Sequence, residues 1–394
     1  MKIFSPQKVR KTSVLVLDGD LRHAVDIVRS LGRSMNVTIL SKNYHVPARY
    51  SRFLDSSIVH FIDRGNLEQE VDYLEELIQK RAFDVIISAG LDGNRVLSYG
   101  KERIKKLAKV PVPSFECFDI AEDKAKTILL AQSIGVSVPT SYFPLSQDNL
   151  LHSFSNIKFP VVVKARGGQG HYGFANNLEQ LQSIYARICN EVPDQIKENA
   201  WPIIQEYIPG KIHGFYALMN QGELRACFMH ERIHEVPPSG GPSSLAKNYY
   251  DEDLVKQGTA ILNALKWHGV AMVEFKKDER DGEYKLLEIN PKFWGSLGIS
   301  IAAGVDFPYI LVKMALEGDI DVVNSTPEKN ILYQWLSMDM AHSWAVGKPW
   351  LWLGPVLRGV ANDFLFSDPL PTFVLIFRGI KDVLNGRRRI HNLS

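Results

Sequence analysis

Oxygen-bearing side chains lie at three positions in two segments that predict neighbouring strands. Glu274 lies within the run Gly269–Lys277, and Glu288 and Asn290 lie at the end of a later short strand. Residues two apart on a strand point the same way, so Glu288 and Asn290 share a face. Carboxylate and amide oxygens suit Mg²⁺ that is held together with substrate phosphates. From these residues alone, a solvated sheet face is an equally good interpretation.

A glycine-rich segment favours the interpretation that these residues hold Mg²⁺ together with the phosphates of a nucleotide. Residues 159–174 predict a β-branched strand that ends in Lys164, followed by a loop with Gly167, Gly168 and Gly170. Glycine lets backbone N–H groups approach phosphate oxygens, and lysine supplies a positive charge for the same phosphates. The segment matches neither the G-x-x-x-x-G-K-[ST] nor the G-x-G-x-x-G fingerprint. A strand, a lysine, a glycine loop and later acidic strands are together more specific than any one of them.

Five motifs, in their order and spacing, resemble those of the ATP-grasp superfamily, in its carbamoyl-phosphate-synthase-like branch of carboxylate–amine ligases. They are Asp123-Lys124, Val163-Lys164 with the glycine loop, residues 205–210, Val273-Glu274-Phe275, and residues 288–292. The resemblance covers about residues 13–320. It implies ATP and Mg²⁺ (or Mn²⁺) as cofactors, and small-molecule carboxylate and amine substrates.

The resemblance also implies a role for each matching residue. Lys124 and Lys164 would hold the ATP phosphates beneath the glycine loop, and Glu274, Glu288 and Asn290 would hold the metal. The adenine and ribose contacts would come from the following positions: Gln205 or Glu206 as acceptor for the N6 amine, the Ile208 backbone facing N1, and His213 near the ribose.

The segment 229–244 combines histidines, Arg232, prolines and a Gly-Gly pair, and we interpret it as a loop over the acyl substrate. Arg232 and Lys292 would stabilise an acyl phosphate, although family members usually carry Arg at the position of Lys292. Lysine keeps the charge and loses the two-pronged geometry of arginine. A less favoured alternative is a transition-metal site at His230 and His234.

Composition excludes several classes of protein. The 394 residues include 46 Lys and Arg against 44 Asp and Glu, a balance that gives no argument for nucleic-acid binding. Three cysteines without metal-ligand spacing indicate a reducing cytoplasm. The first residues lack the apolar core of a signal peptide, and no apolar run is long enough to predict a spanning helix.

The elements that would position these residues follow an α/β pattern. Strands predicted at 13–18, 37–40, 59–62 and 85–89 alternate with helices at 22–31 and 67–80, as in a Rossmann-like parallel sheet. The glycine turn that ends 83–93 is interpreted as structural, with a ligand crevice as the alternative. Further predicted elements are helices at 116–135, 178–192, 253–266 and 299–317 (the last broken near 304–308), a loop at 193–199, a strand at 203–208, and a hairpin of 215–219 with 224–230.

We predict an α/β protein in which an ATP-grasp fold follows a Rossmann-like domain and precedes a C-terminal extension. The predicted domains are 1–115, the Rossmann-like domain; 116–200, the lobe with the glycine loop; 201–320, the lobe with the metal site; and 321–394, an aromatic-rich extension. The extension is interpreted as packing on the core or on a subunit partner such as a second copy. The alternative is a helix at 373–384 that lies, with Arg387, Arg388 and Arg389, on a membrane surface.

The predicted activity is ADP-forming ligation of a carboxylate to an amine, or to a thiol, through an acyl phosphate. An ATP-grasp kinase and a catalytically silent nucleotide-binding module are the alternatives, and the retained Lys164, Glu274, Glu288 and Asn290 argue against the silent module. The identities of the acid and the amine do not follow from the sequence.

Overall fold

The computed structural model describes residues 10–146, 157–168, 170–238, 240–323 and 330–384. Its first part is a four-stranded parallel sheet in the order β3-β2-β1-β4. The strands are β1 (Ser13–Leu17), β2 (Asn36–Ser41), β3 (Ser56–Val59) and β4 (Val85–Ser88). The helices are α1 (Ala24–Leu31), α2 (Leu67–Arg81), α3 (Leu91–Tyr99) and α4 (Lys101–Ile104), with a 3₁₀ turn at Pro47–Tyr50.

Strand β1 shows why this sheet is parallel and covered on both faces. Val14 and Val16 point into one hydrophobic core and Leu15 and Leu17 into another, and all four are fully buried. A strand that is apolar on both faces needs a layer on each side, which is the arrangement of parallel sheets. The carboxyl ends of the four strands therefore lie at one edge of the sheet.

A seven-stranded sheet forms the centre of the molecule, in the order β13-β12-β9-β10-β11-β14-β15. Its strands are β9 (Ile212–Asn220), β10 (Glu223–Glu235), β11 (Ser243–Asn248), β12 (Gly269–Lys277), β13 (Tyr284–Asn290), β14 (Leu332–Gln334) and β15 (Ala361–Asn362). Successive residues of β12 alternate between two cores, with Val273 and Phe275 in one and Met272 in the other. Glu274 therefore shares the face of Met272.

Helices α5 (Phe115–Glu122), α6 (Lys124–Ser133) and α9 (Glu252–Ala264) contribute to the core on the Val273 side. The other core includes residues of α10 (Leu297–Ala302) and α11 (Phe307–Glu317). A smaller sheet in the order β5-β8-β6-β7 carries the glycine loop between β6 and β7. Its elements are β5 (Ser141–Tyr142), β6 (Val161–Lys164), β7 (Tyr172–Ala175) and β8 (Ile203–Glu206), with helices α7 (Leu178–Glu191) and α8 (Pro193–Lys197).

Four local predictions are corrected. The single helix predicted at 116–135 is two helices, because Asp123 adopts an extended conformation (φ −91°, ψ 110°) between α5 and α6. Residues 193–199 contain helix α8 rather than only a loop. The strand predicted at 59–62 lies earlier, at Ser56–Val59. The loop interpretation of 229–244 is wrong for its first part, since β10 continues to Glu235.

The C-terminal extension packs on the rest of the chain. It contributes β14 and β15 to the seven-stranded sheet and the helices α12 (Leu336–Ala345), α13 (Leu353–Leu357) and α14 (Leu370–Leu384). Tyr333 and Trp335 are buried in the core that they share with β1 and α1. Arg387, Arg388 and Arg389 lie outside the described residues. No helix within the described residues is long and apolar enough to cross a bilayer.

Candidate functional site

Two glutamates lie directly opposite each other on β12 and β13. The register pairs Glu274 with Glu288 and Met272 with Asn290, so the three predicted oxygen ligands occupy one face of the sheet. The Asn290 Nδ2 donates a hydrogen bond to Glu288 Oε1 at 3.1 Å. The structure thus brings together the three residues that the sequence predicted as metal ligands.

Lys124 reaches this group from the first turn of α6. Its Nζ lies 3.1 Å from Glu288 Oε2 and 3.3 Å from the carbonyl oxygen of Gly168 in the glycine loop. The side chain of Asp123 caps α6 by accepting from Ala125 N (2.9 Å) and also accepts from Arg166 Nε (2.9 Å). One aspartate therefore fixes both the start of the helix and the beginning of the glycine loop.

Lys164, at the end of β6, completes the cationic side of the group. Burial lowers the pKa of Lys164 to about 8, although the negative charge of Glu288 acts in the opposite direction. Burial alone would raise the pKa of Glu288, but the charges of Lys124 and Lys164 lower it. The charge distribution keeps Glu288 ionised at neutral pH.

Arg232 contacts the second glutamate from β10. Its Nη2 donates to Glu274 Oε1 at 2.8 Å, and its Nη1 donates to the carbonyl oxygen of Gly241 at 3.0 Å. Burial raises the pKa of Glu274, the Arg232 guanidinium opposes that rise, and the neighbouring Glu288 carboxylate adds to it. The arginine is thereby held against the paired glutamates, and its contact with an acyl phosphate stays a prediction.

The glycine loop is anchored by a residue that the sequence reasoning missed. Gln195, on the short helix α8, accepts from Gly167 N (3.2 Å) and donates to Gly167 O (3.1 Å). Gly168 and Gly170 have φ values of +77° and +86°, a region that favours glycine. Residues 193–199 were predicted to be a loop, so nothing in their pattern marked Gln195.

The predicted adenine-binding segment runs along β8 and the residues after it. Gln205 is buried; its Nε2 donates to Ser141 Oγ (3.0 Å), and its Oε1 has no hydrogen-bond partner among the described residues. Glu206 accepts from Arg280 Nη1 (2.7 Å) and from Thr140 N (3.3 Å). The carbonyl oxygen of Ile208 accepts from Lys276 Nζ (2.6 Å). The buried acceptor of Gln205 thus remains unused by the described part of the protein.

The predicted ribose contact of His213 and the alternative metal site at His230 and His234 involve residues that have other partners in the structure. His213 pairs across the sheet with Phe275, not with Glu274, and its Nδ1 lies 2.6 Å from Tyr249 Oη. Its contact with ribose stays a prediction. His230 Nε2 lies 2.7 Å from Ser296 Oγ, whereas His234 Nδ1 lies 2.8 Å from Asp339 Oδ1. The two imidazoles have separate partners, and no cluster of three metal-ligating side chains of the His, Cys, Asp or Glu type occurs among the described residues.

A cavity of about 260 Å³ lies beside the group, at the carboxyl-end edge of the parallel sheet. Lys292 and Gly168 border it on the side of the nucleotide motifs. Burial lowers the pKa of Lys292, and the negative charges of Glu288 and Asp18 oppose that shift. The remaining charged or ionisable lining residues are Asp18, Asp20, Asp92, Lys42, Arg64 and His60.

The turn after β4, which is interpreted from the sequence as structural, also lines this cavity. Gly90 borders the cavity, and Gly93 N donates to Asp18 Oδ2 at 2.9 Å. A Cβ on Gly93 would lie 2.9 Å from the same oxygen, so glycine permits the close approach. Ser88 Oγ also donates to Asp18 Oδ2, at 2.7 Å. The structure therefore supports the crevice alternative, and the signal was an acidic turn directly after a predicted parallel strand.

The donor set fits Mg²⁺. Two carboxylates face each other across neighbouring strands, where like charges repel unless a cation lies close to both. An amide oxygen lies on the same face, and hard oxygen donors of this kind suit Mg²⁺ and Mn²⁺. Four cationic side chains are grouped with the two glutamates, and this excess of positive charge suits a polyphosphate.

Comparisons with known proteins agree with this geometry. Residues 203–338 match the family model described as "ATP-grasp in the biosynthetic pathway with Ter operon". A D-aspartate ligase of Enterococcus faecium is 20% identical over 299 residues, which are 66% of this chain and 69% of that protein. The N-terminal section of the carbamoyl phosphate synthase large chain of Methanopyrus kandleri is 25% identical over 231 residues, 54% of this chain and 39% of that section.

Solved structures show the same fold. The N5-carboxyaminoimidazole synthetase of Staphylococcus aureus superimposes with a TM-score of 0.65 at 18% identity, covering 85% of each chain. An L-amino acid ligase of Bacillus licheniformis gives a TM-score of 0.59 at 17% identity, covering 78% of this chain and 75% of that one. These matches confirm the predicted fold class and the predicted resemblance to the ATP-grasp carboxylate–amine ligases.

Proposed function

We propose that the protein is an ATP-dependent, ADP-forming ligase that joins a small carboxylic acid to an amine through an acyl phosphate. The observation that carries the proposal is the grouping of Lys124, Lys164 and Arg232 around the paired Glu274 and Glu288. Phosphoryl transfer from a nucleoside triphosphate needs positive charge at the phosphates and a metal ion beside the transferred phosphoryl group. The nucleotide complexes among the solved relatives, which include an ADP complex of N5-carboxyaminoimidazole synthetase, support the choice of ATP.

Each residue of the group has a distinct part in the proposed reaction. Lys124 and Lys164 bind the phosphates, and the loop of Gly167, Gly168 and Gly170 covers them. Glu274, Glu288 and Asn290 would hold Mg²⁺, which offsets charge on the phosphates. Gln205 offers its buried Oε1 as the acceptor for the adenine N6 amine, since the described part of the protein leaves that oxygen without a partner. The Ile208 backbone faces N1.

The chemistry has two displacement steps. A carboxylate oxygen of the acid attacks the γ-phosphorus, the bond to the bridging oxygen breaks, and ADP leaves. The amine nitrogen then attacks the acyl carbon, inorganic phosphate leaves with the carbon–oxygen bond electrons, and the nitrogen loses a proton. Arg232 and Lys292 stabilise the anionic oxygens in both steps. No nucleophile of the protein is required.

The cavity beside Lys292 is the proposed site of the acid and the amine. Its lining carries charges of both signs, with Asp18, Asp20 and Asp92 against Lys42 and Arg64. Such a lining favours a small, polar substrate over an apolar one. Acids and amines that themselves carry both charges, such as amino acids, are therefore the first candidates to screen.

The test measures ADP and free phosphate for pairs of acids and amines. A ligase releases ADP and phosphate together, whereas a kinase releases ADP without free phosphate. An acid labelled with ¹⁸O in its carboxylate is expected to pass one labelled oxygen to the phosphate, because that oxygen bridges carbon and phosphorus in the intermediate. Unlabelled phosphate formed together with the amide would overturn the acyl-phosphate route.

The substitution Glu288→Gln tests the metal assignment. It keeps the shape of the side chain and removes the negative charge, so ADP release is expected to fall by at least about a hundredfold. Glu283→Gln, an exposed glutamate in the same hairpin, is the matched control and should retain activity. Circular dichroism should show both variants folded. Full ADP release by Glu288→Gln would contradict the assignment.

A further inference from the structure

Exposed apolar side chains concentrate in the C-terminal extension. Phe366 is 91% exposed, Trp350 74%, Phe377 68% and Trp344 64%. Single exposed apolar residues are normal on protein surfaces, but a group of large aromatic ones in one segment marks an interaction surface. We call Lys124, Lys164, Arg232, Glu274, Glu288 and Asn290 the nucleotide group. None of the four exposed residues belongs to it or lines the cavity.

Phe366 and Phe377 belong to one surface that includes further residues of α14. Ring centroids lie 5.1 Å apart between Phe364 and Phe366 and 5.7 Å apart between Phe364 and Phe373. Leu370, Phe373 and Phe377 are exposed at helical spacings of three and four residues, which places them along one side of α14. We call Phe366, Leu370, Phe373 and Phe377 the aromatic surface.

The other side of α14 fixes the direction in which the aromatic surface faces. Thr372 is buried, and its Oγ1 donates to the carbonyl oxygen of Asp363 at 2.7 Å. The helix packs against α12 and against the turn Pro47–Tyr50. Because these contacts hold the inner side, the exposed side of α14 is presented outward by the fold.

Most charged residues in the C-terminal part of the sequence are basic. Residues 344–394 contain seven basic and three acidic residues, whereas the whole chain has a formal net charge of only +2. Among the described side chains of this segment, Asp363 and Asp368 are buried, whereas Lys348, Arg358 and Arg378 are exposed. The seven basic residues are Lys348, Arg358, Arg378, Lys381, Arg387, Arg388 and Arg389.

We propose that the aromatic surface binds to an anionic lipid bilayer, with α14 lying in the plane of the interface. Aromatic side chains partition into the headgroup region, and nearby lysines and arginines are attracted to anionic lipids. Trp344 and Trp350 add interface-preferring side chains to the same extension. The nucleotide group and the cavity contribute no residue to this surface, so the proposal is independent of the proposed reaction.

The composition of the surroundings selects a bilayer over a second copy of the chain. Arg378 is exposed and follows Phe377 directly, so a self-complementary interface would bring Arg378 of both copies to this surface, and like charges disfavour that contact. An anionic bilayer complements both the apolar side chains and the positive charge. Association between copies through this surface is accordingly an outcome that would overturn the proposal.

The test uses the full chain and cosedimentation with two kinds of vesicle, phosphatidylcholine alone and phosphatidylcholine mixed with phosphatidylglycerol. The protein is expected to sediment with the anionic vesicles, and less so at high salt. The double variant Phe373→Ser/Phe377→Ser should weaken binding by roughly tenfold or more, since two buried aromatic contacts are lost. Leu145→Ser, which removes another highly exposed apolar side chain, is the control.

A second measurement needs no substitution. Vesicles with brominated acyl chains should quench part of the total tryptophan fluorescence, because Trp344 and Trp350 are exposed in the extension whereas Trp267 and Trp335 are buried. Equal binding to neutral and anionic vesicles, no binding to either, or binding that the double variant does not weaken would overturn the proposal. So would sedimentation velocity data that show a dimer in the wild type and a monomer in the double variant.

Discussion

Asp18 lines the cavity, and burial of its charged form disfavours the native state at neutral pH. Burial raises the pKa of Asp18 to about 6, although hydrogen bonds from Ser88 and Gly93 oppose that rise. The native state therefore binds a proton at a higher pH than the unfolded state, for which the ordinary value is 3.8. Stability is lost as pH rises from about 4 to about 6.

The substitution Asp18→Asn is expected to increase the free energy of unfolding at pH 7 by roughly 1–2 kcal/mol. Asparagine keeps the acceptor oxygen and tolerates the positive φ of 56° at this position. The loss of stability between about pH 4 and 6 should disappear in chemical denaturation curves. If the Asp18→Asn variant is instead less stable than the wild type at pH 7, the carboxylate stabilises the fold when it is charged. Asp92→Asn, a partly exposed neighbour in the same cavity, is the control.

Lys164 is expected to give the proposed nucleotide binding a dependence on pH. Its pKa of about 8 means that the free protein loses this charge as pH rises, well below the usual range of lysine. Bound phosphates favour the charged form, so affinity for a non-hydrolysable ATP analogue with Mg²⁺ is expected to fall as pH rises above about 8. Calorimetric titration at several pH values measures it. Lys164→Ala should bind weakly and show a flatter profile; an unchanged slope would assign the titration to another group.

The sequence singled out the charged residues of the nucleotide group, but of the charged residues that line the cavity it singled out only Lys292. Lys164, Glu274 and Glu288 lie in strands with strong local patterns, so their positions follow from one segment at a time. Asp18 and Asp92 come together only because β1 and β4 are parallel neighbours, which no local pattern records. Long-range pairing, rather than residue type, limited the prediction.

At the scale of elements, the junction between α5 and α6 is where the structure departs most clearly from the predicted helix. The apolar spacing of 116–135 continues across Asp123, and for that reason one helix was predicted. The structure interrupts the helix there because the Asp123 carboxylate is used twice, as the cap of α6 and as the acceptor for Arg166. Periodicity reports which side of a segment is buried, and it does not report where the backbone changes direction.

Asp123→Ala is expected to lower the free energy of unfolding by roughly 1–2 kcal/mol through the lost cap. It should also weaken ATP binding, because Lys124 and the glycine loop lose a shared anchor. Asp253→Ala, in the first turn of α9, is the control, since the cap of that helix is the side chain of Asp251 and not of Asp253. Thermal unfolding and nucleotide titration measure the two effects. Unchanged nucleotide affinity would separate the cap from the binding site.

At the scale of the whole molecule, one buried ion pair joins two parts of the chain that are far apart in sequence. Arg29 Nε on α1 donates to Asp368 Oδ2 at 2.9 Å, and Asp368 also accepts from Ser51 Oγ at 2.8 Å and Arg52 N at 2.8 Å. Both side chains of the pair are almost inaccessible. The α/β class and the order of the elements were predictable from the sequence, but this contact was not.

Asp368→Ala is expected to lower the free energy of unfolding by roughly 3–5 kcal/mol, because the Arg29 guanidinium would remain buried without its counter-charge. Asp321→Ala, at an exposed position, should change stability by less than about 0.5 kcal/mol. Urea denaturation of both variants measures the difference. A small effect for Asp368→Ala would mean that water reaches Arg29 once the carboxylate is gone.

The position of this ion pair has a consequence for biosynthesis. Asp368 follows Arg29 by 339 residues, so a ribosome must add all of them before the partner of Arg29 exists. Until then Arg29 lacks its counter-charge, and the partly folded nascent chain is exposed to association with other chains. A nonsense mutation shortly before the codon of Asp368 should therefore reduce the yield of the entire protein, rather than remove a dispensable tail.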